Sequence, residues 1–278
     1  MSSRSLSVTA ALVSDTFREA FSRKIFWGFL ACSTLLILFL LFILRIDVVQ
    51  GAVATMSLFG NTSRAEDVHK LLRQVHAAIA AFLYTAGMFL AIFASAGLIP
   101  SVFEPGRIEL LLSKPIERHQ ILIGRYIGNM LVIAANVCYL VLAVWLILGL
   151  KTGIWTYGFL WSSAFTVFVF AILLTVVMLI GVLWESAAIA TMVTFGMILV
   201  SPILAQKPLL ERLLSSETSR NIVRGLYYVL PKIFDLGRIT RELVLGDPIT
   251  NWMPVWSSAL FGLVVFSASL IVFSRRNY

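Results

Sequence analysis

The sequence predicts an all-α polytopic membrane protein, and composition and segment length are the two observations that predict it. Of its 278 residues, 59% are hydrophobic and 13% are charged, and the mean hydropathy is +0.93. A soluble domain carries about 25% charged residues. Six apolar segments reach the roughly 20 residues that a helix needs to cross a membrane. They cover residues 25–44, 77–102, 121–150, 158–183, 187–204 and 255–273 of a single transmembrane domain, 1–278.

An amphipathic helix is predicted over residues 6–24, before the first span. Apolar residues recur at helical spacing on one side, from Val13 through Phe17 to Phe21, while Asp15 and Glu19 lie on the other. This pattern is typical of a helix that lies in the membrane interface.

The connection over residues 45–76 is polar, and its second half contains His69 and His76. Seven helical residues would separate these side chains by about 10 Å. That is too far for both to bind one ion at about 2 Å. We therefore expect a solvated helix leading into the second span, and no metal site.

The third span begins with a Gly-x-x-x-Gly motif, Gly124 and Gly128, and carries Asn129 and Asn136 on roughly one face. Polar side chains in a span usually face protein or a cavity. With Tyr139, the two asparagines either line a substrate path or bond to a neighbouring helix, and the sequence favours the second interpretation.

Spans four and five are joined by residues 184–186 alone, which predicts an antiparallel helix pair. Residues 205–254 mix charges with apolar clusters. We expect short surface helices in this outer segment, broken by Pro231 and by Gly246 with Pro248.

A charged stretch separates the second span from the third. Pro105 suits a first helical position and Pro115 cannot lie deep in a helix, so a short helix is predicted over residues 105–113. Ile108 and Leu111 fall on one face of this helix, whereas Arg107 points elsewhere. A short amphipathic helix at the membrane surface can receive a force from a soluble partner.

Charge patterning predicts that both termini face the cytoplasm. With the N-terminus inside, ten of the 22 Lys and Arg residues lie in short cytoplasmic segments, and the other twelve are spread over longer loops. The positive-inside rule weighs short loops close to span ends. We assign the net charge of +8 to anchoring at anionic leaflets and not to nucleic-acid binding.

Sequence motifs for catalysis are absent. The chain has no Gly-x-x-x-x-Gly-Lys-Ser/Thr loop, no His-Glu-x-x-His, no Cys-x-x-Cys and no Gly-x-Ser-x-Gly. The predicted spans also lack the central acidic residues on which proton- or sodium-driven transporters depend. We therefore expect no catalytic residue and no cofactor in this chain, and an external source of energy.

Residues 104–118, EPGRIELLLSKPIER, resemble the signature of type-2 ABC exporter permeases. The similarity is greatest to the branch that contains the permease of nitrous-oxide-reductase maturation, in which such a stretch follows the second of six spans. The resemblance implies that residues 6–24 are an elbow helix and that residues 104–118 contain a cytoplasmic coupling helix. Eight positions would then contact an ATPase subunit: Glu104, Gly106, Arg107, Glu109, Ser113, Lys114, Pro115 and Arg118.

The resemblance also implies a non-catalytic permease of a bacterial or archaeal cell (inner) membrane. ATP and Mg²⁺ would bind to a separate ABC ATPase subunit, and the permease would pair with a second copy of itself or a related permease. An accessory periplasmic protein is a further expected partner. The alternatives are a stand-alone secondary transporter or channel, and an integral membrane enzyme or passive anchor. The sequence does not choose the substrate.

Overall fold

The computed structural model describes residues 3–22, 24–42, 45–49, 53–58, 61–65, 68–97, 118–214 and 216–276. Within these ranges one π-helical turn, Leu83–Gly87, joins α3 to α4. The α-helices of these ranges are α1 Ser3–Ser22, α2 Lys24–Phe42, α3 Val68–Phe82, α4 Met88–Ala96, α5 Arg118–Thr152, α6 Tyr157–Trp184, α7 Ala187–Ala205, α8 Lys207–Leu213, α9 Glu217–Val229, α10 Ile233–Leu245 and α11 Met253–Arg275.

Five helical segments of the described chain are long and apolar enough to cross a membrane. They are Arg73–Ser95, Arg118–Lys151, Tyr157–Trp184, Ala187–Ala205 and Met253–Arg275. A sixth is present if Ala10–Ser22 and Phe26–Phe42, which are bent by 70° relative to each other, form one span. The first predicted span corresponds to α2, whose 19 residues equal the length of α7 but follow α1 after the 70° bend.

A small sheet lies between the first and second spans, where the all-α prediction had placed a polar connection. β1 Arg45–Val49, β2 Val53–Leu58 and β3 Asn61–Ala65 form a three-stranded antiparallel meander. Ile46 pairs with Met56 and Thr55 pairs with Arg64. Val and Thr recur in these strands, and β-branched residues favour extended backbone.

Helix α6 is the centre of the bundle. Two thirds of its apolar window, 67%, is buried, compared with 17% in α11. Phe159, Leu173, Met178 and Val182 have essentially no exposed surface, and α6 packs against α4, α5, α7, α10 and α11. The outer helices α7 and α11 leave most of their apolar surface outside the described core.

The contacts between connecting segments define two ends of the bundle. At the first, which we call the α1 end, Arg118 at the start of α5 and Glu185 in the α6–α7 turn both contact Arg276. At the opposite end, which we call the α10 end, the Arg73 guanidinium donates to the carbonyl of Leu245 at 3.1 Å. The start of α5 and the end of α11 therefore lie at one end of the molecule, and α1 lies there too, because its Leu12 packs against Gly124 in the second turn of α5.

The sequence analysis expected His76 to lie in a solvated helix, but the structure buries this side chain. It is 1% exposed, its Nε2 lies 3.1 Å from Thr156 Oγ1, and its ring packs edge-on against Phe159 at 4.8 Å. The reason is that α3 already packs against α6 and α10 at this depth. The side chain of His69 lies outside the described residues.

Three helices, α8 to α10, occupy the segment between α7 and α11. α9 ends at Val229, two residues before Pro231, and α10 ends at Leu245, before Gly246 with its left-handed φ of +79°. Both breaks fall where the sequence analysis had expected them, because proline cannot continue a helix and glycine adopts positive φ without strain.

Candidate coupling site at the base of α5

Most of the predicted coupling stretch lies outside the described residues. Seven of its eight candidate positions fall within residues 98–117, so the structure does not place them. They are Glu104, Gly106, Arg107, Glu109, Ser113, Lys114 and Pro115. Arg118 is the eighth, and it begins α5.

Arg118 is bonded to the C-terminal end of α11. Its Nη1 donates to the carbonyl of Arg276 at 2.5 Å. Arg276 in turn reaches the α6–α7 turn, where its Nη2 lies 2.9 Å from Glu185 Oε1 and its Nη1 donates to the carbonyls of Val182 and Leu183. Arg276 thereby satisfies carbonyls at the end of α6 that have no partner within the helix. One arginine therefore connects the end of α11 to α5, to α6 and to the α6–α7 turn.

The α6–α7 turn holds Glu185 in the left-handed region, with φ of +52°. Its backbone N–H donates to Gly181, and the Ser186 hydroxyl accepts from Ile189 N at 3.4 Å to begin α7. A residue with a Cβ in this region costs about 1–2 kcal/mol. Glycine at this position would relieve the strain but would lack the carboxylate that forms the ion pair with Arg276.

The Gly-x-x-x-Gly motif packs α5 against α1. A Cβ added to Gly124 would lie 2.5 Å from Leu12 Cβ, and one added to Gly128 would lie 2.5 Å from Thr16 Cβ. Neither glycine therefore tolerates a side chain without displacing α1. The motif permits the close approach of two helices in the same chain.

Between these glycines, Arg125 is 1% exposed and bonds to two acidic residues of α1. Its Nη2 donates to Asp15 Oδ2 at 2.8 Å and its Nη1 donates to Glu19 Oε2 at 2.5 Å. Its Nε has no hydrogen-bond partner among the described residues. A buried arginine requires paired charges, and α1 supplies them one helical turn apart.

The packed face of α1 overlaps the stripe predicted from sequence only in part. Ala20 belongs to the predicted stripe and is buried, but Leu12 and Thr16 are buried outside it and Phe21 is 49% exposed. The difference arises because residues facing the Gly124 and Gly128 groove must be small or flexible, and the acids beside them bond to Arg125. Sequence analysis missed the pairing of Arg125 with Asp15 and Glu19. An arginine inside a Gly-x-x-x-Gly pair, preceded by acids at i and i+4 spacing on an amphipathic helix, was the available signal.

The polar side chains farther along α5 contact α2 or their own helix. Asn136 Oδ1 accepts from Ser33 Oγ at 3.0 Å, and the hydroxyls of Tyr139 and Thr34 are 3.4 Å apart. Asn129 Nδ2 donates to the carbonyl of Arg125 at 3.0 Å. Asn136 therefore bonds the third span to the first.

The far end of α5 is also bonded to α2. Lys151 Nζ donates to the carbonyls of Leu40 and Leu41 at 3.2 and 2.6 Å, at the C-terminal end of α2. The 35 residues of α5 would extend about 52 Å at 1.5 Å per residue. One continuous helix thus contacts α1 and the C-terminus at its base and α2 at its far end.

The apolar helices and their short connections define the class of the protein: it is a multi-pass membrane protein. The chain belongs to the ABC-2 family transporter proteins, whose family model matches residues 10–277. It is therefore a permease component of an ABC transporter, a family whose members are in general non-catalytic transmembrane subunits that pair with an ABC ATPase. The predicted resemblance is confirmed at the level of this family. No curated protein matches the chain in sequence.

Proposed function

We propose that this chain is the transmembrane permease subunit of a type-2 ABC exporter. A separate ATPase subunit contacts residues 104–118 and drives it. The observation that carries the proposal is the convergence of three elements on the base of α5, directly after that stretch: α1 through Arg125, α11 through Arg118, and the α6–α7 turn through Arg276.

The contacts support a mechanical path through the permease. Closure of the ATPase subunits on ATP and Mg²⁺ displaces residues 104–118, and the base of α5 moves with them. Because Arg125 and the Gly124–Gly128 groove hold α1, and Arg118 holds Arg276, these partners move together with α5. At its far end Lys151 transmits the displacement to α2. Such coupling requires two conformations of the bundle that the nucleotide state favours differently.

We further propose that two such permeases pair in the cell membrane, with the N-terminus, residues 104–118 and the C-terminus in the cytoplasm. The branch that includes nitrous-oxide-reductase maturation, with an accessory periplasmic protein as partner, is supported by the motif in residues 104–118 alone. Asn129, Asn136 and Tyr139 are proposed as residues of helix packing, on the basis of the Asn136–Ser33 hydrogen bond.

The test is joint replacement of Arg107, Glu109 and Arg118 by Ala in the tagged chain purified from its native membranes. Co-purification of the ATPase subunit and ATP hydrolysis by the complex should both fall by at least about tenfold, because interface contacts at a docking site contribute about 2 kcal/mol or more. The matched control replaces two arginines and one glutamate at the opposite end of the bundle, Arg212, Glu217 and Arg224, and should leave both quantities unchanged.

Two results would count against the proposal. One is an unchanged ATPase complex in the Arg107, Glu109 and Arg118 variant when the protein is still inserted and monodisperse. The other is transport by the purified chain in liposomes that depends on an ion gradient and needs no ATPase, which would identify a stand-alone secondary transporter or channel.

A further inference from the structure

A cavity of about 420 Å³ lies at the α10 end of the bundle, far from the coupling site. It is bordered by the second span, by the last turns of α7 and by α10. Its volume falls within the range of about 300–1,000 Å³ that is typical of small-molecule sites. Two helix irregularities border it: the π-turn that contains Tyr84, and Pro202, which cannot donate the helical hydrogen bond to Ile198.

The walls of this cavity are apolar, and two of its polar side chains are already engaged. Ala80, Met88 and Ile198 line it from the spans, and Phe234 lines it from α10. The Tyr84 hydroxyl donates to the carbonyl of Ile233, and the Thr240 hydroxyl donates to the carbonyl of Leu236 at 2.9 Å. The interior therefore suits a hydrocarbon chain better than a polar molecule.

The charged groups that line the cavity are both cationic, Arg238 and Arg241. Two carboxylates lie near Arg238, Asp235 at 3.9 Å and Glu242 at 3.7 Å, but neither lines the cavity. Arg241 is exposed and forms no ion pair with a described residue.

Asp235 is oriented toward a different group. Its Oδ2 accepts from the Tyr227 hydroxyl at 3.1 Å. Burial, together with the charge of Asp235, raises the pKa of Tyr227 to about 12, so this hydroxyl stays protonated and remains a donor. The rim of the cavity thus carries two guanidinium groups, of which Arg238 also lies within 4 Å of Asp235 and Glu242. Guanidinium groups are complementary to a phosphate or another anionic group.

Exposed apolar residues directly follow several of the lining residues along the two spans. Phe82 is 53% exposed on α3, and Leu199 and Ile203 are 63% and 55% exposed on α7. Ala81 and Thr85, which line the cavity, also lie on the exposed side of the second span. A ligand can therefore enter laterally from the hydrocarbon of a bilayer without crossing water.

We propose that this cavity binds an anionic phospholipid from the leaflet at the α10 end. One acyl chain occupies the apolar interior, and the phosphate accepts hydrogen bonds from Arg238 and Arg241. Arginine binds phosphate oxygens in a bidentate manner, which favours an anionic headgroup over a zwitterionic one. The proposal concerns a binding site and does not depend on which subunit hydrolyses ATP.

Native mass spectrometry of the purified chain in mild detergent tests this proposal. Palmitoyl-oleoyl phosphatidylglycerol and the phosphatidylcholine with the same acyl chains are titrated separately. The Arg238→Gln/Arg241→Gln variant should bind phosphatidylglycerol at least about tenfold more weakly than the wild type. The reason is that the hydrogen bonds lost are between charged groups, and their free energy exceeds the amount that changes an affinity tenfold. The control Arg220→Gln/Arg224→Gln removes two exposed arginines from α9 and should bind both lipids as the wild type does.

A second variant tests the cavity itself. Ala81→Phe fills the space with a ring and should weaken the binding of both lipids, with the arginines intact. Normal lipid binding by Ala81→Phe would show that the arginines act only as surface charge, and would overturn the proposal. Equal affinity of the wild type for the two lipids would also overturn it. So would the loss of bound lipid from dimers but not from monomers, because a second copy of the chain would then cover the cavity.

Discussion

Arg125 combines a charge with near-complete burial, and among the described residues the acids that compensate for it both lie on α1. Its guanidinium bonds to Asp15 and Glu19, whose side chains are 53% and 11% exposed. A surface ion pair contributes about 0–1 kcal/mol to stability. Breaking a pair in which one partner is well buried costs more than that. Truncating one member of a buried pair leaves an uncompensated charge and costs about 3–5 kcal/mol.

We therefore expect Arg125→Gln to lower the free energy of unfolding by about 3–5 kcal/mol, because Glu19 loses its partner in a buried environment. Reversible unfolding of the purified chain in mixed detergent micelles measures this change. The control is Arg224→Gln, which removes an exposed arginine that pairs with Glu211 at 3.1 Å. That change should cost no more than about 1 kcal/mol.

The double variant Glu19→Gln/Arg125→Gln should recover part of the loss, because neither side chain then carries a charge. Equal free energies of unfolding for Arg125→Gln and Arg224→Gln would show that the α1–α5 ion pairs contribute no more to stability than a surface ion pair does.

At the scale of single residues, the sequence identified polar and small positions on α5 but not their partners. Asn136 and Gly128 are visible as exceptions in an apolar span. Ser33 and Thr16, which they contact, are separated from them by more than a hundred residues and carry no distinguishing pattern. Partners across such a separation are decided by packing, which periodicity does not encode.

Among the elements, α5 and α1 approach each other so closely that the glycine groove leaves no room for a Cβ. Gly196 in α7 is also a span glycine, but nothing lies within 4 Å of a Cβ added there. The two positions allow the same substitution to be compared in a packed and in an open environment.

We expect Gly128→Leu to displace α1 from α5, because the new side chain would collide with Thr16. Limited trypsin digestion of the purified chain measures the displacement: cleavage after the exposed Arg18 should become at least about tenfold faster, since local opening exposes the backbone.

Gly196→Leu is the matched control and should leave the cleavage rate at Arg18 unchanged. Cleavage at the same rate in both variants would show that α1 is not held by the groove.

The helices themselves were largely predictable, and the sheet was not. Long apolar runs between charged connections specify spans because hydrocarbon requires every backbone group to be bonded within the helix. The segment that contains β1 to β3 is short, and its apolar and polar residues do not alternate over a sustained run. Its strands depend on pairing with each other, which is a tertiary property.

In the whole molecule, the spans connect two ends that are held together by different contacts. The α1 end gathers the base of α5, the α6–α7 turn and Arg276, and the α10 end gathers α8 to α10 with the start of α3. This arrangement places Arg118 and helix α9 at opposite ends of the bundle. We predict that residues 104–117, which directly precede Arg118 in the sequence, and α9 lie on opposite sides of the membrane.

Single-cysteine labelling tests this topology. In a background with Cys32→Ala and Cys138→Ala, Ser113→Cys and Thr218→Cys should react from opposite sides of sealed membrane vesicles with a membrane-impermeant maleimide. Charge distribution predicts that Ser113→Cys reacts from the cytoplasmic side.

The control reaction, in detergent, should label both cysteines. Labelling of both positions from one side of intact vesicles would contradict the two-ended bundle and, with it, the proposed contact between residues 104–118 and a cytoplasmic ATPase.

The sequence by itself determined that the chain is a multi-pass helical membrane protein of the ABC-2 type, because hydropathy and local motifs are properties of contiguous residues. The tertiary structure alone decided that Arg125 bonds to α1, that Arg276 connects Arg118 to Glu185, and that a cavity with a cationic rim lies at the α10 end. The physical reason is that these features join residues from different helices. Their contacts depend on close packing and on the pairing of buried charges, and not on the order of residues along the chain.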